Sequence, residues 1–321
     1  MKNRFNIVLA RTAESLFWMG RYLERSEATA RLLDVHLHDL IGTTTTQQKR
    51  WTNEIQAMVA MEQIDEPFEA LAMRLSIDRD HPSSIICCME KAWENAKSAR
   101  DAISLELWES INVTYSRLLR TFITDLGHSP HAYYAWIKDR SAAARGLGDT
   151  TMNRDQAWLF LHMGRAIEQI DLTTRLLRVK LLDPNEEDWV VVLRCIGGHE
   201  AYIRAVQRPV EKELAITFLL RETLFPKSVL YLNLQLESAL LSLSRNIRDL
   251  NASDIIPPSL ARLIARLSYP RVGEMTGSSL LERIDEITET QSDLFNLFNS
   301  TFFSPLRDLS KAIPQRSEVW I

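Results

Sequence analysis

A stretch near the start of this chain returns 144 residues later. Residues 15–37 align without a gap on residues 159–181 (164 − 20 for the glycines), with ten identities in 23 positions. Average composition predicts about one or two. Met19-Gly20-Arg21 matches Met163-Gly164-Arg165, Glu24 matches Glu168, Thr29 matches Thr173, and Arg31-Leu32-Leu33 matches Arg175-Leu176-Leu177. Asp171 stands where Glu27 does, keeping the charge. The offset recurs where Pro82-Ser83-Ser84-Ile85 meets Pro226-Lys227-Ser228-Val229 (226 − 82). Two matches in one register point to an internal duplication. Two copies imply a pseudo-twofold unit rather than a solenoid, with halves at about 9–126 and 153–303 of a single domain, 1–321.

The repeated segment is helical. Leu16, Met19, Leu23, Ala30, Leu33 and Leu37 recur at spacings of three and four, as do Phe160, Met163, Ile167, Ile170, Leu177 and Leu181. That is the mark of a buried helical stripe. Phe17, Leu32 and Val35 lie on other faces, so the first helix, about 12–40 with Thr12 or Ser15 as its cap, is expected to be central. Periodicity predicts further helices over 48–63, 67–76, 82–102, 104–126, 130–144, 153–182, 186–206, 210–222, 226–250, 257–267 and 278–303. Pro82 and Pro226 occupy first-turn positions in this reading. Loops are expected at 42–47, 127–129, 146–151, 251–256 and 268–277, with fraying from Lys311. No segment alternates with period two, and only 10 glycines and 11 prolines punctuate 321 residues. The fold class is therefore all-α, a helical bundle with an internal pseudo-twofold.

Several functions are disfavoured. A net charge of −4 supplies no general attraction to nucleic acid or anionic lipid. The longest apolar runs, such as 189–193 and 214–220, are too short to span a bilayer, and 7–10 is too short for a signal-peptide core. Cys87, Cys88 and Cys195 form neither a Cys-x-x-Cys nor an even set, which fits reduced thiols and a cytoplasmic location. No nucleophile triad, phosphate loop or dinucleotide fingerprint occurs. His36 and His38, two apart, face different directions and make poor co-ligands; His162 has no counterpart in the first copy. Trp93, Trp108 and Trp136 read as core, and the Gly197-Gly198 pair as a close helix crossing before His199-Glu200.

The candidate site is the repeated Gly20-Arg21-x-x-Glu24-x-x-Glu27-x-x-x-Arg31 and its copy Gly164-Arg165-x-x-Glu168-x-x-Asp171-x-x-x-Arg175. Steps of four and three set Gly20, Glu24, Glu27 and Arg31 on one ridge beside the apolar stripe. A glycine in mid-helix costs about 1 kcal/mol against alanine, so another backbone should approach it. Three readings stay open. The acids pair with Arg31, Arg175 or arginines of other helices and lock the interface, because buried charges need partners. Alternatively Glu24, Glu27, Glu168 and Asp171 converge on Mg²⁺ or Mn²⁺ through an all-oxygen set, or act as general acid and base on a peptide or amide bond. In the third, a cleft lined by Arg21, Arg31, Arg165 and Arg175 binds a polar ligand or peptide.

The string 15–33, Ser-Leu-Phe-Trp-Met-Gly-Arg-Tyr-Leu-Glu-Arg-Ser-Glu-Ala-Thr-Ala-Arg-Leu-Leu, resembles the opening helix of the bacterial alpha-E family. The resemblance continues through Ser104-x-Glu106-x-Trp108-Glu109-x-Ile111-Asn112, then 189–202, 218–220 and Phe225-Pro226-x-Ser228-Val229. It implies an all-helical protein encoded beside a circularly permuted ATP-grasp protein, often with a transglutaminase-like protease. That setting suggests peptide or amide synthesis and modification, in which this chain is an accessory binding protein. The partners it implies are the ligase and the transglutaminase-like protein; a second copy of the chain is a further candidate, and the enzymatic and purely structural readings are the alternatives. Family residues carried onto this chain are Glu14, Arg21, Glu24, Glu27, Arg31, Glu106, Trp108, Asn112 and Glu200.

Overall fold

A computed structural model describes residues 9–40, 43–59, 61–183, 188–246, 251–270 and 277–304. Among them every regular element is helical: α1 (Ala10–Asp39), α2 (Thr45–Met58), α3 (Phe68–Ile77), α4 (Ile85–Ser98), α5 (Leu105–His128), α6 (Pro130–Thr151), α7 (Gln156–Leu182), α8 (Trp189–Ile196), α9 (His199–Val206), α10 (Lys212–Arg221), α11 (Val229–Asn246), α12 (Ala252–Ile255), α13 (Pro258–Ser268) and α14 (Gly277–Phe298), the last running into a π-helical turn, Asn299–Phe303. The expected fraying after Lys311 and most of the loop at 268–277 lie outside the described residues.

α1 and α7 sit at the centre and pack on one another more extensively than any other pair of elements. α1 is also covered by α4, α6 and α8; α7 is covered by α11, α14 and α2. The 144-residue register reappears in these neighbours. α3 begins at 68 and α10 at 212, and they end at 77 and 221; α4 begins at 85 and α11 at 229. Even the cap recurs. Ser84 Oγ donates to the Asp78 carbonyl and accepts from Cys87 N–H; Ser228 Oγ donates to the Glu222 carbonyl and accepts from Tyr231 N–H. One hydrophobic core runs through both halves, from Leu16, Phe17 and Met19 to Phe160, Met163, Leu219 and Leu236.

Some sequence expectations are corrected. Pro82 and Pro226 do not open helices, because the serines two residues on take the cap and hold the prolines in the preceding turn. Thr12 and Ser15 lie inside α1, whose entry at Leu9 has no side-chain cap. The segment 146–151 is not a loop. α6 continues through Gly148, which tucks against Leu161 and Leu107, and Thr150 and Thr151 return hydrogen bonds to Gly146 and Leu147. Residues 251–256, expected as loop, hold the single turn α12, closed by a capping box between Asn251 and Asp254.

The segment 186–206 divides in two. Gly197 adopts a left-handed conformation, φ 78°, with Gly197 N–H donating to the Arg194 carbonyl and Gly198 N–H to that of Leu193. That pair of bonds is a Schellman stop, which closes α8 before α9 begins. A Cβ on Gly197 would also stand 3.2 Å from the Arg31 guanidinium. Gly197→Ala is therefore expected to lower the unfolding free energy by about 1–2 kcal/mol, read as an earlier urea midpoint. An unchanged or later midpoint would contradict the assignment.

Candidate functional site: an arginine–carboxylate lock between α1 and α7

The two motif glycines do the same thing to each other's helix. A Cβ at Gly20 would fall within 3.0 Å of the Leu161 carbonyl oxygen, and a Cβ at Gly164 within 3.0 Å of the Phe17 carbonyl. Positions 17 and 161 are themselves 144 apart, so the contacts are reciprocal. Glycine removes the side chain at the crossing, the backbones touch, and the flanking arginines reach across.

They reach in the same reciprocal register. Arg21 Nε donates to Glu168 at 2.7 Å, and its counterpart Arg165 Nε donates to Glu24 at 3.3 Å. Arg25 grips Glu168 through two bonds of 2.6 and 2.9 Å; Gln169, the residue 144 further on, donates to Glu24 at 2.9 Å. The pattern then diverges. Glu24 also takes two 2.9 Å bonds from Arg145 of α6, which donates to Glu27 at 2.6 Å as well. Glu27 is further paired with Arg31 and, at 3.5 Å, with Lys227 just ahead of α11. Asp171 receives Arg21, at 2.5 Å. Arg175 donates instead to the Met58 carbonyl at the end of α2, at 3.1 Å, while its charge still acts on Glu168 and Asp171. Paired forks of this kind are the geometry in which buried carboxylates become tolerable.

The electrostatics follow the partners. Burial alone would raise the Glu168 carboxyl, which has no exposed surface, but the Arg21 and Arg25 charges outweigh burial and hold it at about 2. Glu27 is likewise displaced downward, burial being overcome by Lys227, Arg145 and Arg31. Asp171 moves the other way: burial raises it, Arg21 opposes, and the adjacent Glu168 charge adds to the rise. Burial lowers the affinity of the Arg25 and Arg145 guanidiniums for a proton, but the carboxylates facing them more than restore it.

Beside the lock, Glu24, Glu27, Arg31, Gln169, Cys195 and Lys227 line a cavity of about 30 Å³. That is room for a water or two. The four acids do not converge on one point. Glu24 and Glu27 belong to a clamp of Arg31, Arg145, Arg165 and Lys227, and Glu168 and Asp171 to one of Arg21 and Arg25. Oxygen lone pairs engaged by guanidinium are not offered to Mg²⁺ or Mn²⁺. Of the two in-helix pairings considered from sequence, Arg31–Glu27 forms and Arg175–Asp171 does not.

The other residues carried from the family lie elsewhere. Glu14 is half-buried on α1, six residues before Gly20. Glu106 is exposed at the start of α5. Trp108 stacks on Trp93 at 6.5 Å beneath Arg100, and Asn112 accepts from Trp93 Nε1 at 2.9 Å. Glu200 projects from α9 beside His199. Sequence reasoning missed Arg25, Arg145, Gln169 and Lys227. The first and third carried a signal, because 25 and 169 are 144 apart within the repeat. The three cysteines are free and buried. Burial pushes the Cys195 thiol up to about 12 and Cys88 higher still, which leaves inert thiols.

The fold and the site define an all-helical protein whose two central helices are cross-locked by arginine–carboxylate pairs. The chain belongs to the Alpha-E family, described as a predicted alpha-helical domain with a conserved ER motif, whose model matches residues 8–303. A Glu-Arg dipeptide occurs here at Glu24-Arg25, inside the lock, and at Glu282-Arg283 in α14. None of the curated proteins and none of the solved structures compared with the chain matches it. Among the described residues no helix is long and apolar enough to cross a membrane.

Proposed function

We propose that this chain is a non-catalytic helical partner protein in a peptide- or amide-forming system, and that it docks the ATP-grasp ligase implied by the family resemblance, or that ligase's peptide. The observation that supports this reading is the state of the motif. Each of its four acids is occupied by arginine or lysine donors, and the adjoining cavity is small. Such a motif holds a rigid body together and leaves the outer helices to carry recognition. The acids themselves are mostly buried, while Arg31, Arg145 and Asp171 keep about a quarter of their side-chain surface, so this edge of the motif and the outer helices are the surfaces a partner can meet. The test is retention of the ATP-grasp protein on immobilised chain, with a change in the rate of ATP-dependent amide formation when the chain is added. Absence of both a complex and a rate change would sink the proposal.

One observation favours an enzymatic alternative. Asp171 is the motif acid whose carboxyl is displaced upward, a property shared with catalytic acids. In that case Asp171→Asn abolishes a peptide- or amide-bond turnover that the wild-type chain performs alone. A binding protein shows no such turnover in either form.

A further inference from the structure

The C-terminal part of α1 and the first turn of α6 bring together three side chains that the lock does not use. His131 Nδ1 lies 2.6 Å from Asp34 Oδ1 and 3.1 Å from His38 Nε2, and His38 Nε2 lies 3.9 Å from Asp34 Oδ1. Among the described residues this is the group of three carboxylate, imidazole or thiol donors whose ligand atoms all fall within 4.8 Å of one another. From these residues we infer that Asp34, His38 and His131 bind one divalent transition-metal ion of the Zn²⁺ class.

Hydrogen bonding within the group uses these atoms only in part, the half-exposed rings turning to solvent for the rest. A neutral imidazole carries one N–H and one lone pair, pointing in fixed directions. With the His131 Nδ1 proton aimed at Asp34, the His38 nitrogen meets only the side of that bond. With the proton on His38 Nε2 instead, two lone pairs face each other across 2.6 Å at Asp34. A cation between the three atoms uses all three lone pairs at once. The spacing suits it. Ligand bonds of about 2.0–2.1 Å in a tetrahedral site place donor atoms about 3.3 Å apart, in the middle of the 2.6, 3.1 and 3.9 Å separations found.

The surroundings fit an open site. Asp34 is buried, while His38 and His131 are each about half exposed, at 50 and 53 %, so an ion can enter and water can complete its shell. Lys138 Nζ donates to the other Asp34 oxygen, Oδ2, at 2.6 Å. That fixes the carboxylate with Oδ1 toward the histidines, the task of an outer-shell partner. Two nitrogens and one oxygen select Zn²⁺, Co²⁺, Ni²⁺ or Fe²⁺ over Mg²⁺ and Ca²⁺. The neighbouring His36 takes no part; its Nδ1 is engaged with the Leu32 carbonyl at 2.7 Å.

The experiment is titration of the full chain with Co²⁺, followed by its visible d–d absorption, and with Zn²⁺ by calorimetry. The expected result is one ion per chain, Co²⁺ displaced by Zn²⁺ and untouched by Mg²⁺, with a higher melting temperature in Zn²⁺. His38→Ala and His131→Ala, both at exposed rings, should keep the helical circular dichroism and each weaken Zn²⁺ at least ten-fold. His199→Ala should bind as wild type. Absence of stoichiometric binding, or binding that survives both histidine variants, overturns the inference.

Discussion

Gly164→Ala is expected to be among the most damaging single substitutions in this chain, lowering its unfolding free energy by about 3 kcal/mol or more. The added methyl would meet the Phe17 carbonyl oxygen and carbon, both inside 3.0 Å. Those are backbone atoms of a central helix, so neither rotates away. α1 and α7 would have to separate, and the separation lengthens every Arg–carboxylate bond between them. Gly20→Ala meets the Leu161 carbonyl in the same way and should behave alike. Helix propensity pushes in the opposite direction, favouring alanine by about 1 kcal/mol, so the sign of the result is informative. Gly146 supplies the contrast. It lies in α6, and a Cβ added there would have nothing within 4 Å, so Gly146→Ala should stabilise by up to about 1 kcal/mol. Urea midpoints of the three variants decide the matter. A Gly164→Ala protein as stable as Gly146→Ala would mean the helices do not cross where the glycines place them.

That crossing was largely readable from sequence, because the repeat displayed it twice. A mid-helix glycine in each copy, beside an apolar stripe, required a close backbone neighbour, and the neighbour proved to be the other copy. Helices with a clean three-and-four stripe were readable for the same reason. Errors arose where a local signal had two physical outcomes. Gly148 could have ended a helix, but it packs against Leu161 and Leu107 and α6 continues. Gly197 could have been absorbed into a helix, but its left-handed conformation stops α8. The pairing of the motif acids was less visible. Spacing left pairing with Arg31 and Arg175 and pairing with arginines of other helices equally open, and most of the bonds run between helices. Arg145 and Lys227 reach Glu27 from 118 and 200 residues away, and no periodicity carries such information. His38 and His131 meet for the same reason unannounced, since one lies on α1 and the other on α6.

Glu168→Gln is expected to cost about 3–5 kcal/mol at neutral pH, the usual penalty for removing one charge of a buried pair. The amide nearly preserves shape. It offers one acceptor oxygen to Arg21 and Arg25, which together donate three bonds to the carboxylate. Two guanidiniums are then left in a site with no exposed surface at Glu168. The same group predicts a pH dependence. Its carboxyl titrates at about 2 in the folded chain against an ordinary 4.5, so the unfolded state binds the proton first as pH falls. The stabilisation, ~3 kcal/mol by linkage, is fully present above about 4.5 and is lost as pH drops toward 2. Glu27, also displaced downward, adds to the loss in that direction. Asp171 has the opposite sign. With its folded carboxyl raised, it favours the protonated state, and its contribution declines as pH rises through the folded value. Asp171→Asn, which removes a charge the fold disfavours, should therefore leave stability at pH 7 unchanged or slightly raised, and Glu168→Gln should flatten the acid limb of the wild-type profile. Urea titrations of the wild type and both variants between about pH 3 and 7 separate the two. A stable Glu168→Gln beside a crippled Asp171→Asn would invert the order of the lock, and a pH-independent wild type would remove its electrostatic basis.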